Sequence, residues 1–243
     1  MVRMGRRRLL GLGLASSIVG VGGLSYICND VDKLSITRLK LGLNGKVAFL
    51  TDLHIHINTS YLENLAGIIS SEEPDVILIA GDTIDEYTVD RAGVANFIKS
   101  LQAGEKYAVM GNHEYWAGQA DWMARLLKAN GYEVLVNSSA GSMLGRIVGL
   151  DWREDRLYDS IRAEGVVIVH DPNAANNISG ECLILAGHTH GGLVLNGVTL
   201  YTNSNFVRGM YQLDGGTKLY VSRGLGQIFP LRINSRPELV IIE

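Results

Sequence analysis

Lys46-Val47-Ala48-Phe49-Leu50-Thr51-Asp52-Leu53-His54 is the stretch whose reading decides the fold. An unbroken apolar run ends on two polar side chains. Such a run is the pattern of a strand covered on both faces, as in a parallel sheet, whereas a half-exposed strand alternates. Asp52 and His54 stand two residues apart, so in an extended segment both side chains point to one side. They can share one ligand.

The same grammar returns along the chain. Val76–Ala80 leads into Gly81-Asp82-Thr83-Ile84-Asp85, and Tyr107–Met110 into Gly111-Asn112-His113-Glu114. Val166–Val169 leads into His170, and Leu183–Ala186 into Gly187-His188-Thr189-His190. Five of the six histidines belong to this set. In open parallel sheets, ligands gather beyond the carboxyl ends of the strands, so these strand ends can converge on one spot. Glycines at 81, 111 and 187 let the backbone turn just before the polar residues.

Carboxylate and imidazole together suit manganese, iron or zinc. Asp82 is the natural bridge between two ions, and Asn112 offers a neutral amide oxygen. A two-metal site of this composition points to phosphate-ester hydrolysis. Taken singly, each acid or imidazole is more often a surface residue; the ordered set, with one spacing used twice, is not a chance pattern. His56 is the histidine that the pattern does not need, and it is expected to face solvent or substrate.

Other signals set the architecture. Leu34–Leu41 and Lys46–Thr51 read as strands, joined by the hairpin signal Asn44-Gly45. Helices are expected over Ser60–Glu72, with Ser60 as N-cap and Glu63 completing a capping box, over Asp90–Leu101, and over Ala120–Asn130, stopped by Gly131. The first half is therefore β-α-β-α-β with parallel strands and helical crossovers. The second half is strand-rich, with Val134–Val136, Arg146–Leu150, Val198–Tyr201, Lys218–Ser222 and Leu239–Ile242 as further strands. The expected class is α/β, a four-layer α/β/β/α sandwich of two mixed sheets flanked by helices, with the site at the strand carboxyl ends. Residues 137–165 are short and partly Ser/Gly-rich, so a cap over the site is expected to be reduced. Tyr115, Trp116 and Trp122 are candidates for a substrate groove or for core packing.

This ordered set resembles the calcineurin-like metallophosphoesterase superfamily over about residues 46–243. The resemblance implies that Asp52, His54, Asp82 and His190 hold one metal ion, and that Asp82, Asn112, His170 and His188 hold the other. It implies that His113 acts on the phosphoryl group or leaving group, that Asp85 orients His113, and that a hydroxide between the metals attacks phosphorus. Two divalent ions are implied, manganese foremost, with iron, zinc or magnesium as alternatives.

His170-Asp171-Pro172-Asn173, with Asp and Asn exchanged relative to the branch's His-Asn-Pro-Asp, and Gly187–Gly192, Ser222-Arg223-Gly224-Leu225-Gly226, Pro230-Leu231-Arg232 and Arg236-Pro237-Glu238 resemble one bacterial branch. That branch holds membrane-anchored or twin-arginine-exported phosphoesterases, including UDP-2,3-diacylglucosamine pyrophosphatases of lipid A synthesis. The implied substrate is a phosphodiester or pyrophosphate, lipid-linked in that branch. The alternatives are a periplasmic or cell-wall phosphodiester and a catalytically silent binding module on the same fold. Arg208, Arg223 and Arg232 are candidates for holding substrate phosphate, because guanidinium matches phosphate geometry; surface or structural ion pairing is the competing role.

The chain has 243 residues and a formal net charge of −3. Without Arg3, Arg6, Arg7 and Arg8 it has 18 basic against 25 acidic residues, a poor surface for nucleic acid. Cys28 and Cys182 make no disulfide framework. Residues 1–30 read as a targeting segment: arginines precede the apolar run Leu9–Ile27, and Arg6-Arg7-Arg8-Leu9-Leu10 resembles a twin-arginine signal. Residues 31–243 are the expected enzyme domain. Localisation is expected at the inner membrane, either as a retained anchor or after export to the periplasmic or cell-wall side.

Overall fold

The computed structural model describes residues 33–228 and 232–243. The expected signal or anchor over residues 1–30, and the Pro230-Leu231 pair of the tail motif, lie outside the described residues.

The first sheet has the order β1 (Ser35–Leu39), β16 (Glu238–Ile242), β2 (Val47–Leu50), β3 (Val76–Ala80), β4 (Glu105–Val109), β5 (Glu133–Val134). Strands β2 to β5 are mutually parallel. β16 runs antiparallel to β2 and parallel to β1. Asn44-Gly45 therefore does not close a hairpin: β16 separates β1 from β2, and its all-buried Glu-Leu-Val-Ile-Ile pattern fills the gap.

The second sheet has the order β14 (Gly209–Gln212), β15 (Lys218–Val221), β11 (Cys182–Ala186), β9 (Gly165–Val169), β7 (Gly145–Leu150), β6 (Ser138–Ser142). Its central strands are parallel and its two edge strands antiparallel. Short ladders join β8 (Ile161–Arg162) to β10 (Ile178–Ser179), and β12 (Leu193–Leu195) to β13 (Val198–Tyr201).

Alternate residues of each central strand serve different cores. Ala48, Leu50, Ile77, Ile79 and Ile241 face α1 (Ser60–Ser71), α2 (Arg91–Ser100) and α4 (Ala120–Ala129), where Leu65, Ile69, Phe97 and Met123 pack. Val47, Phe49, Leu78 and Val109 face Ile147, Val166, Ile168 and Leu185 of the other sheet. Both faces of the strands are thus apolar, which explains why the sequence does not alternate.

The outer face of the second sheet is covered by the 3-10 segment Pro172–Asn177 and by loops carrying Tyr158, Phe206 and Tyr211. The fourth layer is therefore thinner than the helical layer expected. Asp90 caps α2, accepting from Gly93 N at 2.8 Å. The capping box expected at Ser60 and Glu63 is not formed; Thr59 is the N-cap of α1, without a side-chain hydrogen bond. Among the described residues, no helix is long and apolar enough to cross a membrane.

Candidate metal centre

Five strand ends deliver the polar clusters to one place. Asp52 and His54 follow β2, Asp82 follows β3, and Asn112 and His113 open the short helix α3 (Asn112–Trp116) after β4. His170 follows β9, and His188 and His190 follow β11. Asp52, His54, Asp82, His188 and His190 all have φ between 43° and 71°. Non-glycine residues adopt this left-handed conformation at a cost of about 1–3 kcal/mol each, and only where the surroundings enforce it.

Gly187 shows the enforcement. A Cβ on it would lie 2.1 Å from Thr51 Oγ1 and 2.3 Å from Asp52 Oδ2. The β11 loop must press its backbone against the end of β2, and only glycine permits this. The close approach lets His188 N donate to the Asp52 carboxylate at 3.0 and 3.1 Å. Asp82 is held likewise, its Oδ1 accepting from His113 N at 2.9 Å.

The side chains form two groups: Asp52, His54 and His190, and Asp82, His170 and His188. Within each group all ligand atoms lie within 4.8 Å of one another. His54 Nε2 is 3.2 Å from His190 Nε2, and His170 Nε2 is 3.1 Å from both His188 Nδ1 and Asn112 Oδ1. Atoms held about 2.0–2.2 Å from one ion stand roughly 3–3.5 Å apart, so both donor sets fit a divalent cation. Asp82 Oδ2 lies 3.0 Å from His170 Nε2 and 3.8 Å from His54 Nε2, and so touches both groups.

Outer contacts fix which ring nitrogen is offered. His170 Nδ1 lies 2.8 Å from the carbonyl of Ala80, so it carries the proton and turns Nε2 inward. His54 Nδ1 lies 2.9 Å from Asp85 Oδ2, a carboxylate–histidine arrangement common around metals. Burial and the neighbouring His170 push His188 down to about 3. Burial, His54 and Arg232 push His190 well below its ordinary value. Burial also works against charge on His170, but Asp82 outweighs it and holds the imidazole up at about 10. His54 is raised in the same way, against burial, by Asp85 and Asp82. The neighbouring carboxylates thus favour the charged forms of His54 and His170, in the positions where a cation would supply the charge.

Several expected roles change. Asp85 does not meet His113: its Oδ2 is taken by His54 Nδ1 and, at 2.7 Å, by His56 Nε2. His113 Nδ1 instead faces Glu86 Oε2 at 2.6 Å, because Asp85 turns inward while the next residue points outward. Arg223 is spent on Glu238 Oε1 and Ser35 Oγ, tying β16 to β1. Arg232 is buried and donates to the carbonyls of Arg223, Gly224, Gly226 and Ser235, with its Nη2 3.3 Å from His190 Nδ1. Arg232 also lines a pocket beside His190. Arg208 binds the carbonyl of Asn234 at 2.6 Å. Asp171 pairs with Arg156 through both oxygens.

Two residues in the site had no role assigned from sequence. Glu114 is fully buried and accepts from Gly111 N, Asp82 N, Thr83 N and Ile84 N, clamping the Asp82 loop to the Asn112 loop. Trp152 lies against His188 and His170, at ring distances of 5.3 and 6.0 Å. Its indole N–H and that of Trp116 both donate to Glu154 Oε2. The available signal was Asp151-Trp152 at the end of β7, a polar residue after an apolar strand like the others.

Two buried carboxylate–imidazole groups joined by one aspartate, at the carboxyl ends of two facing sheets, define a protein built for a pair of metal ions. The chain belongs to the calcineurin-like phosphoesterase family, whose model matches residues 45–192. It is 32% identical over 233 residues to an uncharacterized metallophosphoesterase of Campylobacter jejuni, a match covering 86% of this chain and 61% of that protein. It is 27% identical to a Danio rerio transmembrane protein with a metallophosphoesterase domain, covering 88% of this chain and 56% of the relative. The chain thus spans less than two thirds of either relative. It is also 26% identical over 220 residues to phosphodiesterase YaeI of Escherichia coli, covering 82% of this chain and 81% of that protein.

Proposed function

We propose that this chain hydrolyses phosphodiesters with two divalent cations, held by Asp52, His54, Asp82 and His190 and by Asp82, Asn112, His170 and His188. The observation that carries the reading is Asp82, whose Oδ2 touches both donor groups. When bound, the two cations supply positive charge to the phosphoryl oxygens and make water acidic enough to serve as a nucleophile near neutral pH. His188 N and His113 N each fix one aspartate, so the carboxylates need no reorganisation during turnover. His113, steadied through Nδ1 by Glu86, keeps Nε2 to protonate the leaving oxygen. Trp152 stands against His188 and His170, and Trp116 against His113.

The similarity to phosphodiesterase YaeI supports a diester substrate. Manganese is the ion we favour, and a lipid-linked diester or pyrophosphate is the finer substrate reading. Strands β6 and β7 and the loop after them build no helical cap over residues 137–165, which supports access for a bulky substrate. The apolar run Leu9–Ile27 supports an inner-membrane location, to be checked by fractionation with a C-terminal reporter.

The test is hydrolysis of bis-p-nitrophenyl phosphate with manganese, iron, zinc or magnesium, beside a lipid-linked diester. Asp82→Ala and Asn112→Ala should abolish turnover. Wild-type protein that binds two ions yet cleaves no diester would favour the silent binding module.

A further inference from the structure

Exposed apolar side chains gather on the segments around the metal centre. Ten of the fourteen large exposed apolar side chains among the described residues fall in the segments that follow β2, β3, β4, β7 and β11, the strand ends that lead to metal-centre ligands or to Trp152. They concentrate on the β12–β13 hairpin, where Leu195, Val198, Leu200 and Tyr201 are 39–69% exposed. Across the site, Val89 and Trp116 are 78% and 51% exposed. Exposed apolar side chains gathered at one end of a fold suit a surface that meets something apolar. Between the hairpin and the centre lies a pocket of about 470 Å³, walled by Leu193, Tyr201, Ile228 and Ile233 and ending on His190 and Arg232.

The topology says what the face meets. β1 is parallel to β16, and β16 is antiparallel to β2. The chain therefore enters the domain at Ser35 on the edge where β2 ends, the edge of the metal centre. Ser35 Oγ is bonded to Arg223, and a Cβ on the next residue, Gly224, would lie 2.6 Å from Asp52 Cβ. Ahead of Ser35, only Cys28–Leu34 separates the domain from the apolar run Leu9–Ile27. Seven residues span at most about 25 Å. A bilayer holding that run would lie close to the metal-centre face and not to the opposite end.

We infer that the metal-centre face is a lipid-docking surface. The β12–β13 hairpin enters the outer part of a bilayer, and the pocket receives the apolar portion of an amphiphilic phosphodiester whose phosphate reaches the metal centre. The substrate class rests on the phosphodiesterase reading above; the docking geometry does not. Insertion driven by apolar side chains requires no particular lipid charge.

The test uses the full chain in phosphatidylcholine nanodiscs. A Cys28→Ser background carries Leu200→Cys or Gln102→Cys, each labelled with bimane; Cys182 is buried and stays unlabelled. Gln102 is exposed ahead of β4, at the far end of the first sheet. Doxyl-labelled lipid is expected to quench the label at 200 and to leave the label at 102 bright. Equal quenching, or stronger quenching at 102, overturns the inference. In a second arm, Val198→Asp with Leu200→Asp should lower kcat/KM on phosphatidyl-p-nitrophenol in the disc by about tenfold or more, the effect of withholding one or two apolar side chains from lipid. Its rate on soluble bis-p-nitrophenyl phosphate should be unchanged. Loss of both activities to the same extent also overturns the docking role. Wild-type silence on both substrates defeats the phosphodiesterase reading and leaves quenching to decide docking alone.

Discussion

Glu114→Gln tests whether the metal centre is assembled by a buried clamp. The Glu114 carboxylate accepts from Gly111 N at 2.8 Å and Asp82 N at 2.9 Å through Oε2, and from Thr83 N at 2.6 Å and Ile84 N at 3.3 Å through Oε1. In the amide, one oxygen becomes NH2, so two backbone donors face a donor whichever way the group is placed. A buried unsatisfied donor costs about 1–3 kcal/mol. Part of this is returned, because burial foremost, then the Asp82 charge, pushes the Glu114 carboxyl upward, and neutralising it relieves that penalty. A net loss of about 2–3 kcal/mol is expected. At about 2–4 °C per kcal/mol for a domain of this size, the metal-free variant should melt roughly 5–10 °C lower. The clamped loops carry Asp82 and Asn112, so metal affinity should fall by about 10–100-fold, as for other residues behind a ligand. Calorimetric melting of metal-free protein and a metal titration read the two effects. A melting change under about 2 °C together with unchanged metal affinity would refute the clamp.

Gly187→Ala should displace Asp52, because the new Cβ falls 2.1 Å from Thr51 Oγ1; metal analysis is expected to find about one ion per chain instead of two. Metal affinity should rise with pH, since ligands must lose protons to bind. With His170 held up at about 10 in the ion-free state, binding at neutral pH should release protons, measurable by calorimetry in buffers of different ionisation enthalpy. Affinity that does not weaken as pH falls would contradict this. Trp152→Ala should raise KM more than it lowers kcat, because the ring lies over His188 and His170 without contributing a ligand atom. Phe49→Ala, in the core between the sheets, should cost about 3–5 kcal/mol in urea unfolding while leaving metal stoichiometry intact.

Sequence and structure agree where one local rule acts alone. Apolar runs such as Val76–Ala80 had to be central strands, and the polar residues after them had to meet at the carboxyl ends. Long-range choices left weaker traces. Asn44-Gly45 has the right turn chemistry for a hairpin, but nothing local states that β16 will lie between the two strands. Ser138–Ser142 forms an edge strand with hardly an apolar residue, so its periodicity was silent. Side-chain pairings were less legible still. Asp85 and Glu86 are neighbours in sequence, yet one turns to His54 and the other to His113. Arg223 and Arg232 had the right chemistry for phosphate, and the backbone carbonyls and Glu238 claimed them first.

The place of β16 between β1 and β2 also governs when the fold can be completed. Ser35 bonds to Pro237, 202 residues later in the chain. At about 5–20 residues per second, that partner leaves the ribosome roughly 10–40 seconds after β1. Through that interval the apolar edge of β2 has no strand beside it and β1 has nothing to pair with. The nascent protein would need a chaperone or rapid collapse to keep that edge from joining a neighbouring chain. The metal centre, whose β11 loop rests on the end of β2, would be finished only after synthesis has passed the last of its ligands.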